Sequence, residues 1–268
     1  MNTISTYINR LIPLVTMALV FGAHSSTAKT DEERGLEIAL EVDLHDTGFG
    51  DTKAELEMYL ENRHGEFSSR KMGMQTLEVE GDGDKTLISF DYPLDVKGTA
   101  FLSFTHKEGD DDQWLYLPAL KRIKRIASNN KSGPFVGSEF AYEDLSSQEV
   151  EKYTYKFIEK TVFNGVDHWL IERYPLDRKS GYTRQQLWVD QERYIVTKID
   201  FYDRKNSLLK TLDFMDYRQY LDKFWRADKM VMVNHQTGKS TALKWTDYVF
   251  GNGYTDRDFD QRSLKNAR

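Results

Sequence analysis

The chain has 268 residues and a net charge of −6 from 43 acidic and 37 basic side chains. It contains no cysteine, which excludes a disulfide framework, a thiolate metal site, a cysteine nucleophile and lipid attachment through an N-terminal cysteine. The acidic balance argues against a general nucleic-acid binder, which needs positive charge to neutralise phosphates.

The first segment is read as a leader. Arg10 precedes a short apolar run from Leu11 to Gly22, and small residues close it at Ser26, Thr27 and Ala28. This is the pattern of a secretory signal peptide cleaved after Ala28, and the run falls short of the ~20 residues that span a bilayer. The expected division is a signal peptide over 1–28 and one domain over 29–268. Removing Arg10 and no acid takes the net charge from −6 to −7. Export without cysteine points to the periplasm of a Gram-negative cell.

Thr30 to Glu33 fits a capping box, with acids in the first turn to suit the helix dipole. Leu36, Ala39, Leu40 and Asp43 fall on one face, so a helix is predicted over about 31–44. The stretch His45 to Asp51 reads as a helix stop and turn. It lacks the Asp-x-Asp-x-Asp-Gly order and the closing Glu of a calcium loop.

From Lys53 the period becomes two. Leu56, Met58 and Leu60 alternate with Glu55, Glu57, Tyr59 and Glu61, as in a half-buried strand. Further strands are expected over 67–80, 85–91 and 99–106, with tight turns at Gly81–Asp84 and Lys107–Asp112. Residues 114–126 allow two readings. Leu117, Leu120, Ile123 and Ile126 recur every three residues, as in a short helix. Alternatively, Pro118–Leu120 turns between two strands. Residues 128–138 are a loop by composition, and the best candidate for a mobile segment beside a cavity.

Strands resume at Val150 and follow one another to Phe250, with hairpin turns at Asn164–Gly165, Asp190–Arg193, Arg204–Ser207 and Gln236–Lys239. The total is about a dozen strands in consecutive hairpins, which makes the chain mainly β with few helices.

No catalytic constellation is visible. The six histidines, at 24, 45, 64, 106, 168 and 235, show no ligand spacing, and there is no His-Glu-x-x-His or Gly-x-Ser-x-Gly. The acids sit at alternating strand positions or in turns; Glu78 with Glu80, and Glu149 with Glu151, read as solvated. No enzyme, cofactor or metal is expected.

The stretch 113–145 carries a family resemblance. Trp114, Tyr116 and Pro118 are followed by the basic run Lys121 to Arg125. Then come Phe135, Gly137, Phe140, Tyr142, Glu143, Asp144 and Leu145. This order resembles the LolA-like periplasmic outer-membrane lipoprotein-sorting proteins. Leu187–Asp190, Lys198–Asp203, Gly238–Thr241 and Phe259–Leu264 extend the likeness over most of 29–268.

The resemblance favours the hairpin at 114–126. It implies a large antiparallel half-open barrel of about eleven strands, with helices covering the concave face. It further implies a carrier of lipid or lipidated protein, and for several members of this branch a partnership with resistance-nodulation-division (RND) type exporters. A monomer is expected. An antiparallel sheet with one clear helix must close on itself or leave a concave apolar surface, and such a surface can hold an acyl chain. Candidate lining residues are Phe101, Phe104, Trp114, Tyr116, Phe135, Phe140, Trp169, Trp188, Phe214 and Trp225. Lys121, Arg122, Lys124 and Arg125 are candidates for an anionic headgroup or an acidic partner. The rival readings are a non-carrying transporter adaptor and a carbohydrate-active enzyme, which would need two acids facing one cleft.

Overall fold

A computed structural model describes residues 28–267. The expected signal peptide therefore lies, but for Ala28, outside the described residues. The elements are α1 (Asp31–Asp46), β1 (Asp51–Glu61), β2 (Phe67–Leu77), β3 (Lys85–Tyr92), β4 (Ala100–Phe104), β5 (Asp112–Leu117) and β6 (Arg122–Arg125). After a long connection come β7 (Tyr153–Phe163), β8 (Val166–Pro175), β9 (Tyr182–Asp190), β10 (Val196–Asp203), β11 (Leu208–Tyr220), β12 (Phe224–Asn234), β13 (Lys239–Phe250) and the short α2 (Ser263–Asn266).

The thirteen strands form one sheet in the order β6-β5-β4-β3-β2-β1-β13-β12-β11-β10-β9-β8-β7. The half-open barrel thus has thirteen strands where the resemblance implied about eleven. Residues 114–125 form the hairpin, with a 3-10 turn at Pro118–Leu120 between β5 and β6. Two meanders run outward from the centre, where β1 pairs with β13. The connection 126–152 therefore has to travel from one edge strand, β6, to the other, β7.

Period-two alternation sorts side chains between the two faces. Leu56 on β1 lies opposite Met72 on β2 and Trp245 on β13, and all three belong to the main apolar core. The connection 126–152 folds over part of this inner face through Phe135, Phe140 and Val150. Composition predicts a mobile segment over 128–138. Instead Phe135 is fully buried, with its ring 5.3 Å from Phe101 and 5.8 Å from Phe90. A buried ion pair fastens the same connection to the sheet: Lys210 Nζ lies 2.6 Å from Asp144 Oδ2. Tyr182 Oη donates to the other Asp144 oxygen at 2.8 Å.

Helix α1 covers another part of the inner face. Its capping box is formed as predicted: Thr30 Oγ1 accepts from the Glu33 N–H at 3.1 Å, and Glu33 accepts from the Thr30 N–H at 2.9 Å. The buried stripe is Gly35, Ile38 and Ala39, and not the expected Leu36 and Leu40, which are exposed together with Leu44. The reason is Gly35. A Cβ there would stand 2.7 Å from backbone atoms of Lys156 and Phe157, so the helix crosses β7 at the closest approach that glycine permits.

The outer face of β3–β5 has its own small core. Leu87, Ala100 and Leu102 pack under Phe259 and Leu264 of the C-terminal segment. Asp51 ties that segment down by accepting from the N–H groups of Asn252, Gly253 and Tyr254.

Candidate functional site: a cavity between the helix and the sheet

Between α1 and the inner face of the sheet, a cavity of about 880 Å³ remains unfilled. This is in the range of about 300–1,000 Å³ typical of ligand sites. Its floor comes from alternate positions of adjacent strands: Ile171 on β8, Leu187 and Val189 on β9, Val196 and Ile199 on β10, and Phe214 on β11. Tyr217 and Trp225 extend it, and Ala39 and Val42 of α1 face it from above. Two contacts and a stacked ring hold the C-terminal end of α1 over this floor. Asp46 pairs with Arg226, Lys223 Nζ donates to the Thr47 carbonyl at 2.5 Å, and the His45 ring stacks on Tyr194 with centroids 4.4 Å apart.

The wall formed by Glu78–Asp84 and Ser146–Glu149 is polar and mainly acidic. Several of its acids are satisfied. Glu78 accepts from the N–H groups of Gly48 and Gly50, and Asp82 is bonded to His106 and to the Lys107 N–H, which holds its carboxyl down at about 2. Two others are less well served. Burial pushes the Asp84 carboxyl up to about 6, and hydrogen bonds from Ser147 at 3.1 Å and from the Val79 backbone offset this in part. Glu149 is only 8% exposed, and its side chain has no hydrogen-bond or ion-pair partner among the described residues. Burial first, and the nearby Asp84 charge second, push it up to about 7.

The residues expected to line a cavity are dispersed. Phe214 and Trp225 line it. Trp169 stands behind it, its ring 5.4 Å from that of the lining residue Tyr194. Phe101, Phe135 and Phe140 are fully buried where the connection seals the inner face. Phe104, Trp114 and Tyr116 lie on the outer face, against the Phe259–Leu264 cluster. Trp188 also points away from the floor formed by Leu187 and Val189, and packs on Lys198 and Phe163. Lys121, Arg122, Lys124 and Arg125 are exposed at the β6 edge, where Arg125 pairs with Asp112; none of them lines the cavity. Sequence reasoning missed the aliphatic floor and the acids. The floor had a signal, the alternation in β8–β10. The acids had none, because Asp84 and Glu149 meet only through the fold.

A family model described as "Uncharacterized protein" matches residues 82–266. Among curated proteins, none matches the chain. Among solved structures, a domain from Vibrio parahaemolyticus named for outer membrane lipoprotein sorting is 57% identical, with a TM-score of 0.86 over 87% of this chain and 99% of its own. A DUF1329 family protein from Desulfovibrio piger is 28% identical, with a TM-score of 0.83 over 88% of this chain and all of its own. A LolA superfamily protein from Nitrosomonas europaea shares the fold at 17% identity, with a TM-score of 0.70 over 88% of this chain and 100% of its own.

Proposed function

The chain belongs to the LolA-like family of outer-membrane lipoprotein-sorting proteins, and on that premise we propose that it is a periplasmic carrier. The apolar part of a lipid or lipidated protein lies on the aliphatic floor beneath α1. The carrying observation is the cavity itself: about 880 Å³ of unfilled space over Ile171, Leu187, Val189, Ile199 and Phe214. Each methylene moved there from water gains ~0.8 kcal/mol. The C-terminal end of α1 is the part that moves, since few polar contacts hold it, while Gly35 keeps the N-terminal half against β7. Displacing it opens the cavity, and closing it excludes water from the chain. One chain builds the whole cavity, so the carrier needs no second copy to hold its cargo. It hands its cargo on to a better-matched site, for which the family resemblance suggests an RND-type exporter.

A carbohydrate-active enzyme is the rival that the acidic wall invites, because acids do face this space. A sugar, however, would bury its hydroxyls against Ile, Leu, Val and Phe side chains that offer no hydrogen bonds, at a cost of about 1–3 kcal/mol for each unsatisfied group. The floor suits an acyl chain instead.

The test is uptake of N-phenyl-1-naphthylamine, an uncharged dye that fluoresces in apolar surroundings. Wild type is expected to bind it. Val196→Trp, which fills the space over the floor, is expected to weaken uptake at least tenfold while keeping the wild-type circular dichroism. Undiminished uptake in a folded Val196→Trp would sink the assignment of the cavity.

A further inference from the structure

We propose that the cavity receives a ligand headed by a protonated amine, with Glu149 and Asp84 as the carboxylates that hold it. The proposal rests on the carrier reading and specifies which end of the cargo this wall recognises.

The first observation is the unpartnered acid. Glu149 is more than nine-tenths buried, lines the cavity, and has neither a cation nor a hydrogen-bond donor on its side chain among the described residues. Its carboxylate oxygens open on the cavity instead of on a protein donor, so an occupant of the cavity meets them directly. A Cβ on Gly83 would stand 2.7 Å from the Thr105 backbone and 2.8 Å from Glu149 Oε1, so glycine lets the strand backbone and the carboxylate both close in on this turn.

The second observation is the sign of the charge around it. Seven acids line the cavity, of which Asp46 is paired with Arg226 and Asp82 with His106, against three fixed cations, Lys107, Arg173 and Arg193. All three cations are engaged elsewhere. Lys107 Nζ lies 3.5 Å from Glu151. Arg173 donates to Gln185 at 2.5 Å and to Gln148 at 3.1 Å. Arg193 pairs with Asp190 at 2.7 Å. The charges that act on Glu149 are Asp84 from the β2–β3 turn, Asp43 from α1, Glu151 from its own segment, and Lys107 from the β4–β5 turn. Three of these four are negative. A field of that sign, between low-dielectric walls, attracts a cation and repels an anion.

An ammonium supplies what is missing: positive charge and three donors on a point small enough to sit between two carboxylates. The apolar floor beside it takes the chain attached to that amine. The basic run at Lys121–Arg125, on the far edge strand, has no part in this recognition.

The test is displacement of N-phenyl-1-naphthylamine at pH 8 by three ligands of equal chain length: dodecylamine, dodecanol and dodecanoate. Dodecylamine should displace the dye at a concentration at least tenfold below that of dodecanol, and dodecanoate should be the weakest. Glu149→Gln and Asp84→Asn, each first shown to be folded by circular dichroism, should bring the dodecylamine-to-dodecanol ratio from at least tenfold down towards one. Lysophosphatidylethanolamine compared with lysophosphatidylglycerol distinguishes a lipid headgroup from a simple amine as the source. A preference for the ethanolamine lipid assigns the headgroup, and a preference seen with dodecylamine alone assigns the free amine. Equal displacement by dodecylamine and dodecanol in wild type overturns the proposal even if both variants fail to fold, and so does a preference that survives both substitutions. If the dye itself does not bind, the carrier reading falls, and this proposal falls with it.

Discussion

At the scale of single residues, Glu149 and Lys210 show two ways of burying charge. Lys210 is sealed with its partner Asp144, and further bonds to the Glu139 carbonyl and from Tyr182 satisfy the pair. Glu149 is buried without a partner, so the folded state favours its protonated form. Its carboxyl rises from the ordinary 4.5 to about 7, and that of Asp84 from 3.8 to about 6. Because both values are raised on folding, the native state binds more protons than the unfolded chain between these limits, and stability falls as pH rises through them. The ligand-free protein should therefore lose on the order of a few kcal/mol of unfolding free energy between pH 4.5 and pH 7, since both carboxyls gain more than a hundredfold in proton affinity on folding and each tenfold is worth about 1.4 kcal/mol. Urea titrations across this window should show the decline, and Glu149→Gln should flatten it and unfold at higher urea at pH 8. A stability that rises from pH 4.5 to 7 in wild type would show that Glu149 is not held unpaired.

At the scale of elements, α1 is both the cover of the cavity and the piece held by the closest packing. Gly35 lets it touch the β7 backbone. Gly35→Val should push the helix away from β7 at a cost of about 1–3 kcal/mol for overpacking. Hydrogen exchange should then show lost protection over residues 31–46 while β8–β11 keep theirs. Unchanged protection of α1 would mean that it is anchored by other contacts. Much of this level was legible in the sequence. Thr30 and Glu33 announced the start of the helix, and Leu56, Met58 and Leu60 announced the first strand by alternation. The buried stripe of α1 was not legible, because the stripe with more leucines, at 36, 40 and 44, is the exposed one. A glycine gives no hydrophobic signal, yet here it decides the face. The aromatics misled for a related reason. Alternation tells that Leu187 and Trp188 point in opposite directions, but not which direction is inward, and the larger ring lies outside.

At the scale of the molecule, two meanders meet where β1 pairs with β13, and the sheet is left with edges at β6 and β7. The chain must cross between those edges, and in crossing it lays residues 126–152 over part of the inner face. The helix takes another part, and the space between helix and sheet stays unfilled. The antiparallel meander was readable from consecutive hairpin turns. The filling of the inner face by an irregular connection was not, since a loop composition such as that of residues 128–138 does not reveal that Phe135 is its anchor. The acids of the cavity were hidden by distance along the chain: Asp84 and Glu149 each look like an ordinary solvated acid until the fold brings them together.

The most direct measurement is mass spectrometry of organic extracts from the protein, purified from the periplasm without detergent, beside the same preparation of Val196→Trp. A carrier should yield a near-stoichiometric apolar molecule from wild type and lose it in the folded variant. A clean wild-type extract, or the same molecule retained by Val196→Trp, would contradict the carrier reading.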